Sequence, residues 1–463
     1  MQRESILLVS CYELGHQPSG VAVPAGFFRR AGIDVEAMDV SVEGFDEEKI
    51  ARARFIGISV PMHTALRLGL RVAEAARRTN AEAHICFYGL YASLNRDYLL
   101  DTVADSVIGG EVETSLVQLV QSLDMGVEID LPGASTRSQR TSSPVLARLS
   151  FAAPAREQLP PIEKYARLDD NGHHRLVGYV EASRGCLHNC THCPIPPVYG
   201  GRFFVVPQDV VLADIRGLVG SGARHITFGD PDFLNGPTHA LRLAREMHKE
   251  FPDLTFDLTA KVEHILKYSE IFPELGRAGC VFVVSALESL SDVVLKHLEK
   301  GHARRDIYAA LAVLKDAGIA LRPSFVSFTP WTTLADYIDM LEFVEAEGLI
   351  DNVDPVQYTI RLLVPPGSLL LERKGTAAWL GPLAQESFTY EWAHTDAAMD
   401  RLWGDVSVLV EQGVRRNQDS AAIFYKTKEL AYVARGDRRG AREMPVIDPG
   451  RVRPPRLTEA WFC

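Results

Sequence analysis

Cysteine is scarce in this chain, seven in 463 residues, and four of them, Cys11, Cys86, Cys280 and Cys463, lie far apart. That scatter excludes a disulfide framework of the kind that holds small secreted domains together. No apolar run approaches the length of a membrane span, and Met1-Gln-Arg-Glu-Ser leads directly into a short strand-like run rather than a leader. Positive charge is in deficit, 49 basic against 60 acidic side chains for a net −11. A sequence-independent grip on nucleic acid needs a basic surface, so this balance makes nucleic acid an unlikely partner. Internal repeats of solenoid length and long low-complexity tracts are missing too. What remains is an ordinary globular composition, 46% hydrophobic and 24% charged, with chain enough for two or three domains. The reading is a cytoplasmic protein in a reducing compartment.

The other three cysteines fall within eight residues, Cys186-Leu-His-Asn-Cys190-Thr-His-Cys193. Thiolates are soft ligands, and a loop this short gathers them at little entropic cost. An ordinary four-iron cluster takes four cysteines. Here the loop offers three, so one iron would stay open to a substrate or cofactor, which points to catalysis rather than electron storage. The rival reading is a zinc knuckle with His188 or His192 as fourth ligand. Such sites usually pair two ligand clusters across a longer loop, and the sequence has no second pair; the spacing favours iron and sulfur.

Two series of strand and helix signals flank this loop. In the first, Ile6–Val9, Val35–Val40, Phe55–Val60, His84–Tyr88 and Ser106–Ile108 read as buried parallel strands. The amphipathic stretch Thr64–Arg78 reads as one of the helices between them. Five such units predict a doubly wound, Rossmann-like α/β domain over residues 1–125, with ligands at the carboxyl ends of its strands. Residues 126–172, poorer in pattern, read as a linker or wrapping arm. The second series, Gly178–Glu181, His225–Phe228, Thr255–Leu258, Val281–Ser285, Leu321–Phe328 and Val356–Leu363, predicts a partial (β/α)6 barrel of the TIM type over residues 173–384. The cysteine loop follows its first strand, at the catalytic end. Residues 385–463 read as a mixed helical and coil extension.

The C-x-x-x-C-x-x-C spacing after a first barrel strand, led in by Glu181-Ala-Ser-Arg-Gly-Cys186, resembles the signature of the radical S-adenosylmethionine superfamily. The resemblance implies that Cys186, Cys190 and Cys193 hold a 4Fe-4S cluster whose open iron chelates S-adenosylmethionine. It further implies reductive cleavage to a 5′-deoxyadenosyl radical, with electrons from an external reductant such as flavodoxin or ferredoxin. Phe228-Gly-Asp-Pro-Asp-Phe233 is similar to the family segment near the methionyl amino group, which implies a role for Asp230, with Asp232 as a second acceptor or a cap. Ser285-Ala-Leu-Glu288-Ser289 resembles the stretch near the ribose and implies Ser285 and Glu288. Lys261 and Glu263 end the third strand, where they face the cofactor or pair with each other. The turn after Arg361, Val364-Pro-Pro-Gly367, is similar to one in many members.

The front domain resembles the cobalamin-binding domain of the cobalamin-dependent branch. Its tag is Val107-Ile-Gly-Gly110-Glu111-Val-Glu113, close to a Gly-Glu-x-Glu turn. The usual Asp-x-His-x-x-Gly is replaced by Glu13-Leu-Gly-His16-Gln-Pro-Ser-Gly20, and Gly89-Leu-Tyr91 departs from the common Gly-Gly. The resemblance thus nominates His16, Gly89, Gly110 and Glu111 as cobalamin contacts, with His16 lacking its orienting carboxylate. A structural domain without cofactor is the plain alternative. The end, Trp461-Phe-Cys463, is similar to a subfamily with a Cys-Cys-Ala-Glu-Pro or Cys-Sec-Ala-Glu-Pro tail, which would place a selenocysteine codon after Cys463. Together these imply a cobalamin-dependent methylase of a small molecule. The runner-up is a cobalamin-free transfer of an aminocarboxypropyl group to a soft nucleophile such as arsenite.

Overall fold

The computed structural model describes residues 5–127, 130–140, 143–437 and 445–459. The front sheet joins β1 (Ser5–Ser10), β2 (Glu36–Asp39), β3 (Ala53–Ser59), β4 (His84–Tyr88) and β5 (Ser106–Ile108), all parallel, in the order β2-β1-β3-β4-β5. Alternate residues of a strand point to opposite faces. Leu7, Val9, Ile56 and Phe87 accordingly enter one core, and Ile6, Leu8, Phe55 and Tyr88 enter the other. Helices cover both faces. The helix His63–Thr79 buries Ala65, Leu66, Gly69, Val72, Ala73 and Ala76, an apolar stripe at helical spacing. A sixth strand, β6 (Ala134–Thr136), runs antiparallel to β5 and comes from the segment read as an arm.

That arm is built into the protein. Val145 bridges Gly110, Ala155 N–H donates to Ala22 O at 2.8 Å, and β7 (Arg167–Asp170) opens the second sheet. β7 folds back onto β8 (His173–Val180) through Asn171-Gly172, both at positive φ. Asn-Gly suits such a two-residue turn because both positions need left-handed backbone. β9 (Ser183–Gly185) and β10 (Phe203–Val205) pair as an antiparallel clip around the cysteine loop. β11 (His225–Phe228), β12 (Thr255–Thr259), β13 (Cys280–Glu288) and β14 (Ala320–Phe325) continue the sheet in parallel, in the order β14-β13-β12-β11-β8-β7, and it curls as a half-barrel. The hairpin β15 (Leu380–Ala384) and β16 (Thr389–Trp392) stands apart, and β17 (Arg456–Leu457) closes the β7 edge.

The strand expected over Val356–Leu363 does not form. Pro355, which lacks an N–H, opens a 3-10 turn over Pro355–Tyr358, and the pairing shrinks to a single parallel bridge between Phe328 and Arg361. The helices pack outside on Ile226, Phe228, Phe256 and Leu258. The inner face is polar: Asp257 Oδ2 receives Thr227 Oγ1 at 2.6 Å and faces His225 Nε2 at 2.8 Å.

The C-terminal extension adds the helices Ala397–Arg415 and Ser420–Ala434. Among the described residues no helix is long and apolar enough to cross a membrane. Trp461, Phe462 and Cys463 lie outside the described residues, and with them the tail resemblance. Phe388 reaches back from the turn between β15 and β16 into the front-domain core, fully buried against Tyr98 with ring centroids 5.3 Å apart. Phe388→Ala should cost about 3 kcal/mol, as truncation of a buried phenylalanine does. A urea midpoint within error of the parent would contradict this docking.

Candidate functional site

The cysteine loop leaves β8 at the carboxyl end of the half-barrel and is held at each turn. Gly185 has φ +72°, and a Cβ there would lie 2.4 Å from Arg202 O, so the clip can close only on glycine. Cys186 N–H donates to Arg202 O at 3.1 Å and Cys193 N–H to Cys190 O at 3.2 Å. Thr191 is fixed from both sides: its N–H donates to Leu298 O, its hydroxyl to His297 O, and its carbonyl accepts from Ser368 Oγ. Asn235 Oδ1 accepts from Leu187 N–H at 3.3 Å. Cys186 and Cys190 are buried and Cys193 is half-buried. Burial pushes the Cys193 thiol up to about 12, with Cys190 and Cys186 adding to the effect. The three sulfurs therefore act on one another. A soft metal centre is the group this donor set fits, since a bound cation would stabilise the thiolate forms that burial disfavours.

Neither histidine of the loop completes a four-ligand knuckle with the cysteines. His192 Nε2 faces Glu288 Oε1 at 3.0 Å, and His188 turns toward Asp232. Glu288 reaches the site through a bulge: the β13–β14 register shifts between Ala286 and Glu288, and Glu288 takes φ +62°. Bulges of this kind re-aim a side chain next to a site. Lys300 Nζ donates to Glu288 Oε1 at 3.1 Å. Burial works to raise the Glu288 carboxyl, but Lys300 and His192 outweigh it and hold it well below the usual range. Lys300 feels Cys190 and Cys193 as well, which places a buried cation beside the thiols. Nothing in the sequence around Lys300 marks its partner.

The other residues singled out in the sequence sit as follows. Asp230 is buried, its oxygens taken by Ala182 N–H and the Ser183 hydroxyl, and burial pushes it up to about 7. Ser285 Oγ donates to Ala260 O at 2.7 Å. Lys261 and Glu263 pair at 3.4 Å. Arg361 binds Asp400 and lies over the Trp392 ring, 3.7 Å from its centroid. In the front domain, His16 is buried and stacked on Tyr179 of β8 with centroids 4.7 Å apart, and burial pushes it down to about 4. Gly89 has φ +105° at the end of β4, ahead of the helix Leu90–Leu94. Gly110 is fixed by the arm, since a Cβ would lie 2.1 Å from Val145 O.

Glu111 leads to a residue whose role the sequence did not reveal. Arg184, two positions before Cys186, meets Glu111, Glu113 and Glu181 with its side chain only 13% exposed. Its guanidinium lies 5.4 Å from the centroid of the arm's Phe151. Tyr199, inside the cysteine loop's clip, donates to Glu111 at 2.9 Å. The front domain's Gly-Glu turn and the cysteine loop thus share one buried ion cluster. Burial pushes Glu111 up to about 7 against the pull of Arg184. Glu13 is pushed up to about 8 by burial, with Glu181 and Asp39 adding to it and the Gly20 N–H opposing.

A thiol-ligand loop at the mouth of a half-barrel, faced by the ligand edge of a doubly wound domain, defines a two-domain protein built around a metal–thiolate centre. The radical SAM superfamily model matches residues 180–344 and the B12 binding domain model matches residues 6–120. Residues 180–344 thus form a radical SAM domain and residues 6–120 a B12-binding domain. It is 26% identical over 189 residues to a putative methylthiotransferase of Methanocaldococcus jannaschii, covering 38% of this chain and 40% of that one. It is 23% identical over 324 residues to the hopanoid C-3 methylase of Methylococcus capsulatus, covering 68% of this chain and 62% of the relative. The match thus spans less than two thirds of either relative's length. The structure of the cobalamin-dependent S-adenosylmethionine radical enzyme OxsB with aqua-cobalamin bound superposes with TM-score 0.72 at 15% identity, covering 89% of this chain and 67% of that one.

A buried carboxyl with a raised pKa holds its proton more tightly folded than unfolded. Its contribution is therefore present below the ordinary carboxyl range and is lost as pH rises toward the folded value. Glu13→Gln keeps an oxygen for Gly20 N–H. It should match the parent at pH 4.5 and exceed it at pH 8 by about 2 kcal/mol or more. A urea-unfolding difference that does not change between the two pH values would contradict the burial of an ionisable Glu13.

Proposed function

We propose that this protein is a cobalamin-dependent radical S-adenosylmethionine methylase of a small molecule, with Cys186, Cys190 and Cys193 as the cluster ligands. The observation that carries this reading is the Arg184 cluster, which ties the Gly-Glu turn of the B12-binding domain to the loop that presents the three thiols. The relative named as a hopanoid C-3 methylase matches over 324 residues, 68% of this chain, which favours methyl transfer over the aminocarboxypropyl alternative. When bound, the cluster with S-adenosylmethionine supplies a carbon radical, and cobalamin supplies a transferable methyl group.

The chain's own residues supply position and field. Lys300 offsets the negative charge of the three thiolates, and Glu288 holds Lys300 in place. Asp230 and Ser285 fix the strand ends through the backbone, so their part is to shape the mouth. His16, stacked on Tyr179, fills the junction between the domains. The corrinoid would be held at the carboxyl edge of the front sheet, where Gly89 ends β4 and Gly110 and Glu111 follow β5. The partners are an external one-electron reductant and a small-molecule substrate.

Two variants test this. Cys190→Ala should lower reductive 5′-deoxyadenosine formation at least a hundredfold in anaerobically reconstituted protein while the corrinoid stays bound. His16→Phe, which keeps the stack, should bind one corrinoid per chain as the parent does. Full cleavage activity in the first variant, or no corrinoid in the parent, would overturn the reading.

A further inference from the structure

Three successive strand-end loops of the half-barrel send one polar side chain each to a single point. His188 comes from the loop after β8, Asp232 from the loop after β11, and His264 from the helix Val262–Lys267 after β12. One ligand atom from each lies within 4.8 Å of the other two. His264 Nδ1 is 2.7 Å and His188 Nε2 is 3.6 Å from Asp232 Oδ2, and the two rings are 4.6 Å apart. Asp232 is 1% exposed and His264 5%.

Hydrogen bonding accounts for this arrangement only in part, because His264 Nδ1 lies at hydrogen-bond distance from Asp232 Oδ2 but is poorly aligned on it. His188 Nε2, Asp232 Oδ2 and His264 Nδ1 are all buried without a well-aligned hydrogen-bond partner, and buried polar atoms left unpaired are costly and rare. The bland role of Asp232, a cap, uses the other oxygen: Oδ1 accepts Leu234 N–H at 3.0 Å. On the far side of the His188 ring, Nδ1 faces Glu263 Oε2 at 3.8 Å, the place where a metal-bound imidazole turns to a carboxylate.

We propose that His188, Asp232 and His264 form a second metal site, for a divalent first-row transition ion such as zinc or ferrous iron, distinct from the three thiols although His188 stands in their loop. Two imidazoles and one carboxylate are a donor set for such ions and leave coordination positions open to an oxygen or nitrogen of a small molecule. The open positions lie at the mouth of the half-barrel, beside the thiols.

The test is metal counting on the reconstituted holoprotein after exposure to zinc and desalting. One zinc per chain is expected in addition to the cluster iron, with a nitrogen and oxygen shell at about 2.0–2.1 Å and no sulfur at about 2.3 Å in the zinc absorption edge. His264→Ala and Asp232→Asn should each lower bound zinc at least tenfold at fixed free zinc, with iron content unchanged. Asp232→Asn retains the capping oxygen, and its iron content reports that the cysteine loop is intact should His264→Ala fail to fold. Equal zinc in parent and Asp232→Asn, or a sulfur shell, would overturn the proposal.

Discussion

The structure depends on one buried guanidinium. Arg184 has to be neutralised, because an unpaired charge away from water costs several kcal/mol, and its partners come from two parts of the chain far apart in sequence. Glu181 lies on its own segment, while Glu111 and Glu113 belong to the last βα turn of the front domain. Neither partner set suffices alone: Glu111 and Glu113 without Arg184 would be two buried like charges, and Arg184 without them would keep one half-exposed carboxylate. The domains therefore satisfy each other's electrostatics at the place where their ligand-bearing edges meet.

Position follows from that pairing. Arg184 sits in β9, opposite Phe204 of β10, so fixing it fixes the clip from which Cys186 emerges. Tyr199 brings the far end of the loop to the same Glu111. A second junction repeats the device outside the site, where Arg156 of the arm binds Asp214, Gln17 and the Tyr179 carbonyl. The polar inner face of the half-barrel is then closed by packing, with His16 against Tyr179.

Local pattern made much of this readable before any coordinates. The five front strands, the helix after β3 and the three-cysteine loop each rest on spacing within a few residues, and each appears where it was expected. The expected strand at Val356–Leu363 failed because Pro355 favoured a 3-10 turn, leaving only the Arg361 bridge. β6 and β7 went unread because short polar strands gain their stability from the sheets they join, not from their own residues. Asn171-Gly172, by contrast, is a hairpin signal legible in the sequence. Arg184, Lys300 and His264 were illegible for a different reason: their partners lie 71, 12 and 32 residues away, and nothing local marks a charge that will be buried.

The claim that one ion cluster joins the two ligand edges is tested most directly by a double-mutant cycle between Arg184→Met and Glu113→Gln. Arg184→Met leaves Glu113 without its cation, Glu113→Gln leaves Arg184 with Glu111 and Glu181 alone, and the double change removes the Arg184–Glu113 pair. The account predicts a coupling energy of about 1.5 kcal/mol or more in urea unfolding. Additivity within about 0.5 kcal/mol would contradict it.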